Sequence, residues 1–340
     1  MHTPEGLAPK WKGILPVVPT PLKTDGRFDA HGMSYLVDFY INAGCHGLLI
    51  LGSGGEFPYF SMKEKYRIIQ TTVDMVGGRV PVCVGMGYFG LAESLEFIAM
   101  TDALGFNGYL MAQPSYYPVR IGDAVDLFTT AVKATSKSIF FYHYPQVTGF
   151  SPTPEETASI LNIPGITGSK DSSINIRSMR KTLFLVEKNS CSYFSGVGFL
   201  LLETLRSGGV GAMCPVATVA PHLVVECYEA WRQKDEPKAA ALQDEIMAFL
   251  PLINTFELSP YLQKKGFHLI SHLPFARTAR TGSRHAVTKE MLRQMGFPIT
   301  SIVRSPLPQI SPREKQQVSR LLGNALRSLT NFNTINDRGK

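Results

Sequence analysis

The sequence predicts an α/β chain folded as a (β/α)8 TIM barrel with a C-terminal helical extension. Three observations carry this. Apolar runs of four to six residues recur through the first two thirds of the chain, turn residues follow each run, and stretches with helical periodicity follow the turns. The runs also lack the period of two that marks a half-exposed strand, as expected for parallel strands buried on both faces. Eight such units in about 235 residues fit a barrel better than a doubly wound sheet.

The first run is Ile14 to Val18, after which Asp29 is placed to cap a helix burying Met33, Leu36, Val37, Tyr40 and Ile41. Gly47 to Leu51 is the second strand, and Ser61 opens a helix reaching Val76. Val80 to Val84, Asn107 to Met111 and Ser138 to Tyr142 are the third to fifth strands, separated by helices over Leu91 to Leu104 and Asp123 to Thr135. Pro154 starts a short helix, where a missing N–H costs nothing. Gly165 to Lys170, Cys191 to Ser195 and Val210 to Cys214 complete the strands, with helices over Ile174 to Lys188, Phe199 to Ser207 and His222 to Lys234.

Residues 1–235 are therefore expected to form the barrel and residues 236–340 a helical region with a frayed tail. Helices are predicted over Pro237 to Leu250, Phe256 to Phe267, Thr288 to Met295 and Ser311 to Ser328, with loops over Ser271 to Ala286 and Phe297 to Pro312.

At 340 residues, with 44% hydrophobic and 18% charged, the composition is that of a water-soluble globular protein. No window reaches the ~18 consecutive apolar residues of a membrane helix. The N-terminus shows no basic region followed by an apolar core, so no secretory signal is expected. Five widely spaced cysteines without a CxxC pair read as buried free thiols in the cytoplasm. From residue 255 onward fourteen Lys/Arg stand against four Asp/Glu, a net +10 that leaves −3 for residues 1–254. These charges are scattered through helical patterns, which reads as a solvated face, with neither nucleic acid nor membrane as a partner.

In a barrel, chemistry sits at the C-terminal strand ends. Lys170 ends the sixth strand, where a lysine must either pair with a carboxylate, Asp171 being the neighbour, or lose its proton and become a nucleophile toward carbonyls. Tyr142 ends the fifth strand, within reach of Lys170, and can either relay protons or serve as a core aromatic. Ser53 and Tyr116 are candidates for extending a hydroxyl chain from it. Gly52, Gly54 and Gly55 beside the second strand allow backbone N–H groups to converge on a carboxylate, or form a plain tight turn. The loop lacks the Walker lysine and the GxGxxG spacing, and no HExxH, GxSxG or ligand-spaced His/Cys/Asp cluster occurs, so no metal is expected.

These motifs, GSGGE (52–56), Pro114-x-Tyr116-Tyr117, YHYP followed by TG (142–149), GSKD (168–171) and SG (195–196), resemble in order those of the dihydrodipicolinate synthase / N-acetylneuraminate lyase family of class I, pyruvate-handling aldolases. The resemblance runs from about Gly13 to Ala240. It implies a Schiff base between Lys170 and pyruvate or another 2-keto acid, with no further cofactor. It also implies Tyr142 as the proton-transferring phenol, Ser53 and Tyr116 as its relay, and the backbone around Ser53 and Gly54 as the carboxylate anchor. Gly196 and Met213 would line the pocket, and the chain would be a homo-oligomer, usually a tetramer.

Three departures bear on the branch. The arginine that synthases carry after their YNVP-like motif is absent, Gln146 and Val147 standing there. Gly54 replaces the second hydroxyl of the usual loop, so that GSGGEF looks like the 2-keto-3-deoxy-gluconate aldolase branch. His143 stands where Asn is usual, and either contacts a polar acceptor or replaces Asn structurally. The expected activity is cleavage or formation of a 2-keto-3-deoxy sugar acid with an aldehyde partner. Dihydrodipicolinate synthesis, a keto-acid dehydratase or a non-catalytic keto-acid-binding protein are the alternatives.

Overall fold

A computed structural model describes residues 11–87, 90–186, 191–252, 265–266, 268–269 and 285–328. Eight parallel strands are found among them: β1 (Gly13–Pro16), β2 (Leu48–Ile50), β3 (Val82–Met86), β4 (Gly108–Met111), β5 (Ser138–His143), β6 (Ile166–Asp171), β7 (Ser192–Ser195) and β8 (Gly211–Cys214). They pair in the order β1-β8-β7-β6-β5-β4-β3-β2, and a parallel bridge from Val17 to Leu49 brings β1 back against β2, so the sheet is a nearly closed TIM barrel. Helices between the strands cover the outside.

The interior is filled by Leu15, Leu49, Cys83, Leu110, Phe140, Phe194 and Met213, each from a different strand. Trp11 plugs this interior, its ring edge-on to Phe140 at 5.3 Å and its Nε1 donating to Ser138 Oγ at 3.0 Å. Side chains alternate across a strand, so with Phe140 and Tyr142 inside, Phe141 and His143 face the helices. Register then carries the facing from strand to strand: Tyr142 pairs with Lys170, and Lys170 with Phe194. Lys170 therefore points inward and Asp171 outward. Only a glycine fits at Gly168, because a Cβ there would lie 2.0 Å from the Ser192 carbonyl oxygen.

Boundaries differ from the sequence reading where side chains cap or bend the chain. The fourth helix, Ile121–Lys133, starts two residues before Asp123, whose carboxylate accepts from the Arg120 N–H at 3.2 Å and caps the first turn from inside. Short helices at Pro145–Thr148 and Val216–Val219, for which the sequence reading assigned no element, follow β5 and β8. The helix expected from Thr288 spans His285–Gln294, so its first turn comes from the predicted loop Ser271 to Ala286. The helix expected over Phe256 to Phe267 lies almost wholly outside the described residues.

Candidate active site

A cavity of about 80 Å³ opens at the C-terminal ends of the strands, with Lys170, Tyr142, Ser53 and Ser172 among its polar lining. Val17, Val197, Phe199, Pro215 and Val216 make much of the rest apolar.

Lys170 is buried, with its Nζ 4.5 Å from the centre of the Tyr142 ring. Burial lowers its pKa to about 8, because the charged ammonium loses water without gaining a carboxylate. Strands β3 and β8 contribute the thiols of Cys83 and Cys214, both raised by burial, Cys214 to about 11, so neither supplies a negative charge at neutral pH. Asp171, the one adjacent acid, is occupied on the other face of β6. It accepts from the Ser173 N–H at 2.7 Å and from the Tyr193 hydroxyl, and lies 3.1 Å from His143 Nδ1. Burial alone would raise its pKa, but the His143 ring and these hydrogen bonds outweigh that and hold it below the ordinary carboxylate value. Of the two readings of Lys170, the ion pair with Asp171 is thus not formed. At pH 7 about a tenth of the amine is neutral and nucleophilic.

The Tyr142 hydroxyl is 3.2 Å from Ser53 Oγ and also hydrogen-bonds Ser172. Burial pushes this phenol up to about 12, against the opposing effect of the two serines, so it stays protonated and can give and regain a proton along a fixed chain. Ser53 reaches it because residues Ser53–Gly55 form a single 3-10 turn after β2. Gly54 lets that turn lie against β1, since a Cβ would meet Val17 Cγ1 at 2.9 Å.

Other sequence candidates are placed elsewhere. Tyr116 stands 88% exposed on the loop after β4, its ring 4.9 Å from that of Tyr117 and outside the cavity lining, while Ser172 joins Ser53 in hydrogen-bonding Tyr142. Met213 is fully buried in the barrel interior beneath the cavity, paired in register with Leu15, and forms floor packing instead of cavity wall. His143 faces away from the cavity, stacked on Phe141, with its Nδ1 3.1 Å from the Asp171 carboxylate. Gly52 and Gly55 close the turn through the Gly55 N–H to the Gly52 carbonyl and stay outside the wall, whereas Gly54 and Gly196 line it.

Gly196 is the tightest of these positions. A Cβ there would fall 2.0 Å from Ser172 Oγ and 2.9 Å from the Asp171 carbonyl oxygen. Gly196→Ala is expected to displace Ser172 from Tyr142 and lower kcat about tenfold, the effect of losing one hydrogen bond to the acid. Steady-state kinetics beside a Ser172→Ala variant would check this, since the two should lose similar amounts.

The C-terminal region supplies residues that the sequence reading missed. His285 and Thr288 line the cavity, and His285 Nε2 donates to the Ser53 carbonyl at 2.7 Å. Behind them Lys289 forms a fully buried ion pair with Glu56, the last residue of GSGGE, and donates to the Ile302 carbonyl at 2.7 Å. The spacing of His285, Thr288 and Lys289 at i, i+3 and i+4 was the available signal, hidden by an arginine- and glycine-rich stretch just before it.

Parallel barrel, buried unpaired lysine at a strand end and hydrogen-bonded phenol beside it define an enzyme site built for carbonyl chemistry. The chain belongs to the dihydrodipicolinate synthetase family, whose profile matches residues 10–269. Among curated proteins it is 30% identical over 317 residues, 92% of this chain and 97% of the relative, to a probable 2-dehydro-3-deoxy-D-pentonate aldolase, YjhH, of Escherichia coli K12. It is also 30% identical over 288 residues to a 4-hydroxy-tetrahydrodipicolinate synthase of Methanopyrus kandleri, covering 83% of this chain and 94% of that one. Among solved structures it matches YagE, a prophage protein of the same family from E. coli K12 in complex with pyruvate, with a TM-score of 0.80 and 26% identity, covering 93% and 99% of the two chains.

Proposed function

We propose that this chain is a class I aldolase, a carbon–carbon lyase that cleaves or forms a 2-keto-3-deoxy sugar acid through a pyruvate enamine on Lys170. The observation that carries the reading is Lys170 itself, buried without a carboxylate partner and beside a phenol fixed by two serines. The aldolase name of YjhH and the pyruvate bound to YagE support it.

In this reading the neutral amine adds to the keto carbon, and the carbinolamine loses water to give an iminium, with Tyr142 passing the proton to the departing hydroxyl. Breaking the C3–C4 bond sends its electron pair into the iminium, which becomes an enamine. The C4 hydroxyl meanwhile gives up its proton to the Tyr142 relay and leaves as an aldehyde. Protonation at C3 and hydrolysis release pyruvate and restore the amine. The iminium is the electron sink, so the reaction calls for no metal or organic cofactor. The N–H groups opening the Ser53–Gly55 turn, which have no partner inside so short a turn, would hold the keto acid's carboxylate.

The synthase alternative is disfavoured by Gln146. At the position where synthases carry a carboxylate-binding arginine, its Nε2 donates to the Ser173 carbonyl at 3.1 Å, and Val147 beside it carries no charge. Sustained turnover with aspartate semialdehyde would overturn the aldolase preference. A cytoplasmic homo-oligomer, with a tetramer the first expectation, completes the proposal; no helix among the described residues is long and apolar enough to cross a membrane.

Borohydride reduction in the presence of pyruvate tests the reading directly. A stable mass gain on Lys170 is expected, and its absence would remove the enzyme reading. Tyr142→Phe keeps the ring against Lys170 and loses only the proton relay. It is expected to lower kcat about 100-fold while pyruvate still labels the lysine, as mass spectrometry beside steady-state kinetics would show.

A further inference from the structure

We propose that the turn after β6, residues 171–175, is a brace for the proton relay, in which Asp171 and Gln146 are positioning residues that hold Ser172 against Tyr142. This rests on the aldolase reading, in which Tyr142 carries the proton. It adds two side chains that stand outside the cavity lining and act through the serine.

Alternation along β6 sends Lys170 inward, Asp171 outward and Ser172 inward again, so the serine reaches the cavity one residue past the end of its strand. Its N–H donates to the His143 carbonyl at 2.8 Å, continuing the ladder with β5. Beyond that bond, side chains hold the backbone. The Ser173 N–H donates to Asp171 Oδ1 at 2.7 Å, and the Ser173 carbonyl accepts from Gln146 Nε2 at 3.1 Å. Both polar groups of the residue next to Ser172 are therefore fixed. The Asn175 N–H closes the turn on Ser173 Oγ at 3.4 Å.

Ile174 shows how firmly the turn is held. Its φ is +54°, in the left-handed region where a β-branched side chain crowds its own backbone, and it keeps that conformation while buried in the core. A turn free to relax would carry Ile174 out of that region and swing Ser172, two residues back, away from the phenol. The two braces act in different directions. Asp171 is a charged acceptor, which makes its bond to the Ser173 N–H a strong one, and its other oxygen is held by the Tyr193 hydroxyl. Gln146 lies in the helix Pro145–Thr148, directly after the strand that carries Tyr142. Its bond to Ser173 ties the segment after β5 to the segment after β6, and so sets the spacing between the phenol on one strand and the serine beyond the other.

Gln146→Leu removes the amide at nearly constant volume from a half-buried position. In the condensation of pyruvate with D-glyceraldehyde it should lower kcat about fivefold, the size of one hydrogen bond, and leave KM for pyruvate little changed. In a Ser172→Ala background the same change should cost nothing further, because the amide reaches Tyr142 only through that serine. Asp171→Asn keeps an oxygen for the Ser173 N–H and should retain more of kcat than Asp171→Ala. Borohydride with pyruvate, run on every variant, reports the Schiff base separately. An unchanged kcat in Gln146→Leu, or losses that multiply when it is combined with Ser172→Ala, while Lys170 is still labelled, would overturn the brace alone. A wild-type protein that takes up no mass on Lys170 would overturn the aldolase reading beneath it.

Discussion

Lys170→Ala is expected to abolish borohydride trapping with pyruvate and to lower kcat/KM by about 10⁴-fold or more, as removal of a covalent nucleophile does elsewhere. The fold should survive, because the removed group is an amine that burial already disfavours in its charged form. The same burial gives a pH signature. A lysine lowered from 10.5 to about 8 carries its proton in the unfolded chain but not in the folded one between those values. The unfolded state then binds more protons, and stability rises with pH across that window. Lys65, also lowered to about 8 by burial, contributes a similar slope, so the contribution of Lys170 is read as the difference between wild type and Lys170→Met. Activity should rise over the same range, kcat/KM climbing to a plateau above pH 8 as the amine loses its proton. Denaturation and kinetics across pH 6 to 10 would check both. A flat activity profile together with trapping in Lys170→Ala would place the nucleophile elsewhere.

Why Lys170 could be found in the sequence, and His285 could not, is a matter of which forces are local. Strands buried on both faces are short apolar runs, and a parallel barrel puts function at their ends, so GITGSK followed by Asp171 marks a strand, an end and a candidate at once. Alternation along SIFFYH then decides that Tyr142 and His143 cannot both face the cavity, and register with β6 selects Tyr142. Met213 shows the limit of naming strand-end residues: it faces inward but lies beneath the cavity, and depth along the barrel axis follows from stagger between strands that no single run encodes. Tyr116 lies on a loop, where neither period nor register fixes a side chain. His285 depends on a pairing between Lys289 and Glu56, 233 positions apart in the sequence, and a buried charge pair leaves no periodic trace.

That pair carries the second large expectation. Lys289→Met should destabilise the docked helix by about 3–5 kcal/mol, since it removes one partner of an ion pair whose side chains are both 0% exposed and leaves the Glu56 carboxylate buried without its countercharge. An exposed pair makes the contrast. Arg180 and Glu203, with side chains 56% and 27% exposed, should lose at most about 1 kcal/mol when Arg180 becomes alanine, because water and salt already screen them. Glu56→Gln combined with Lys289→Met should recover much of the loss, as the desolvated charge disappears with its partner. Because Lys289 follows Thr288, which lines the cavity, and Glu56 follows the relay turn, the single variant should also lower aldol turnover while pyruvate still labels Lys170. Denaturation of the three variants, with labelling and condensation rates on the same samples, measures both effects. If Lys289→Met were no more costly than Arg180→Ala, the helix would owe its position to its apolar contacts through Met291 and Leu292 instead.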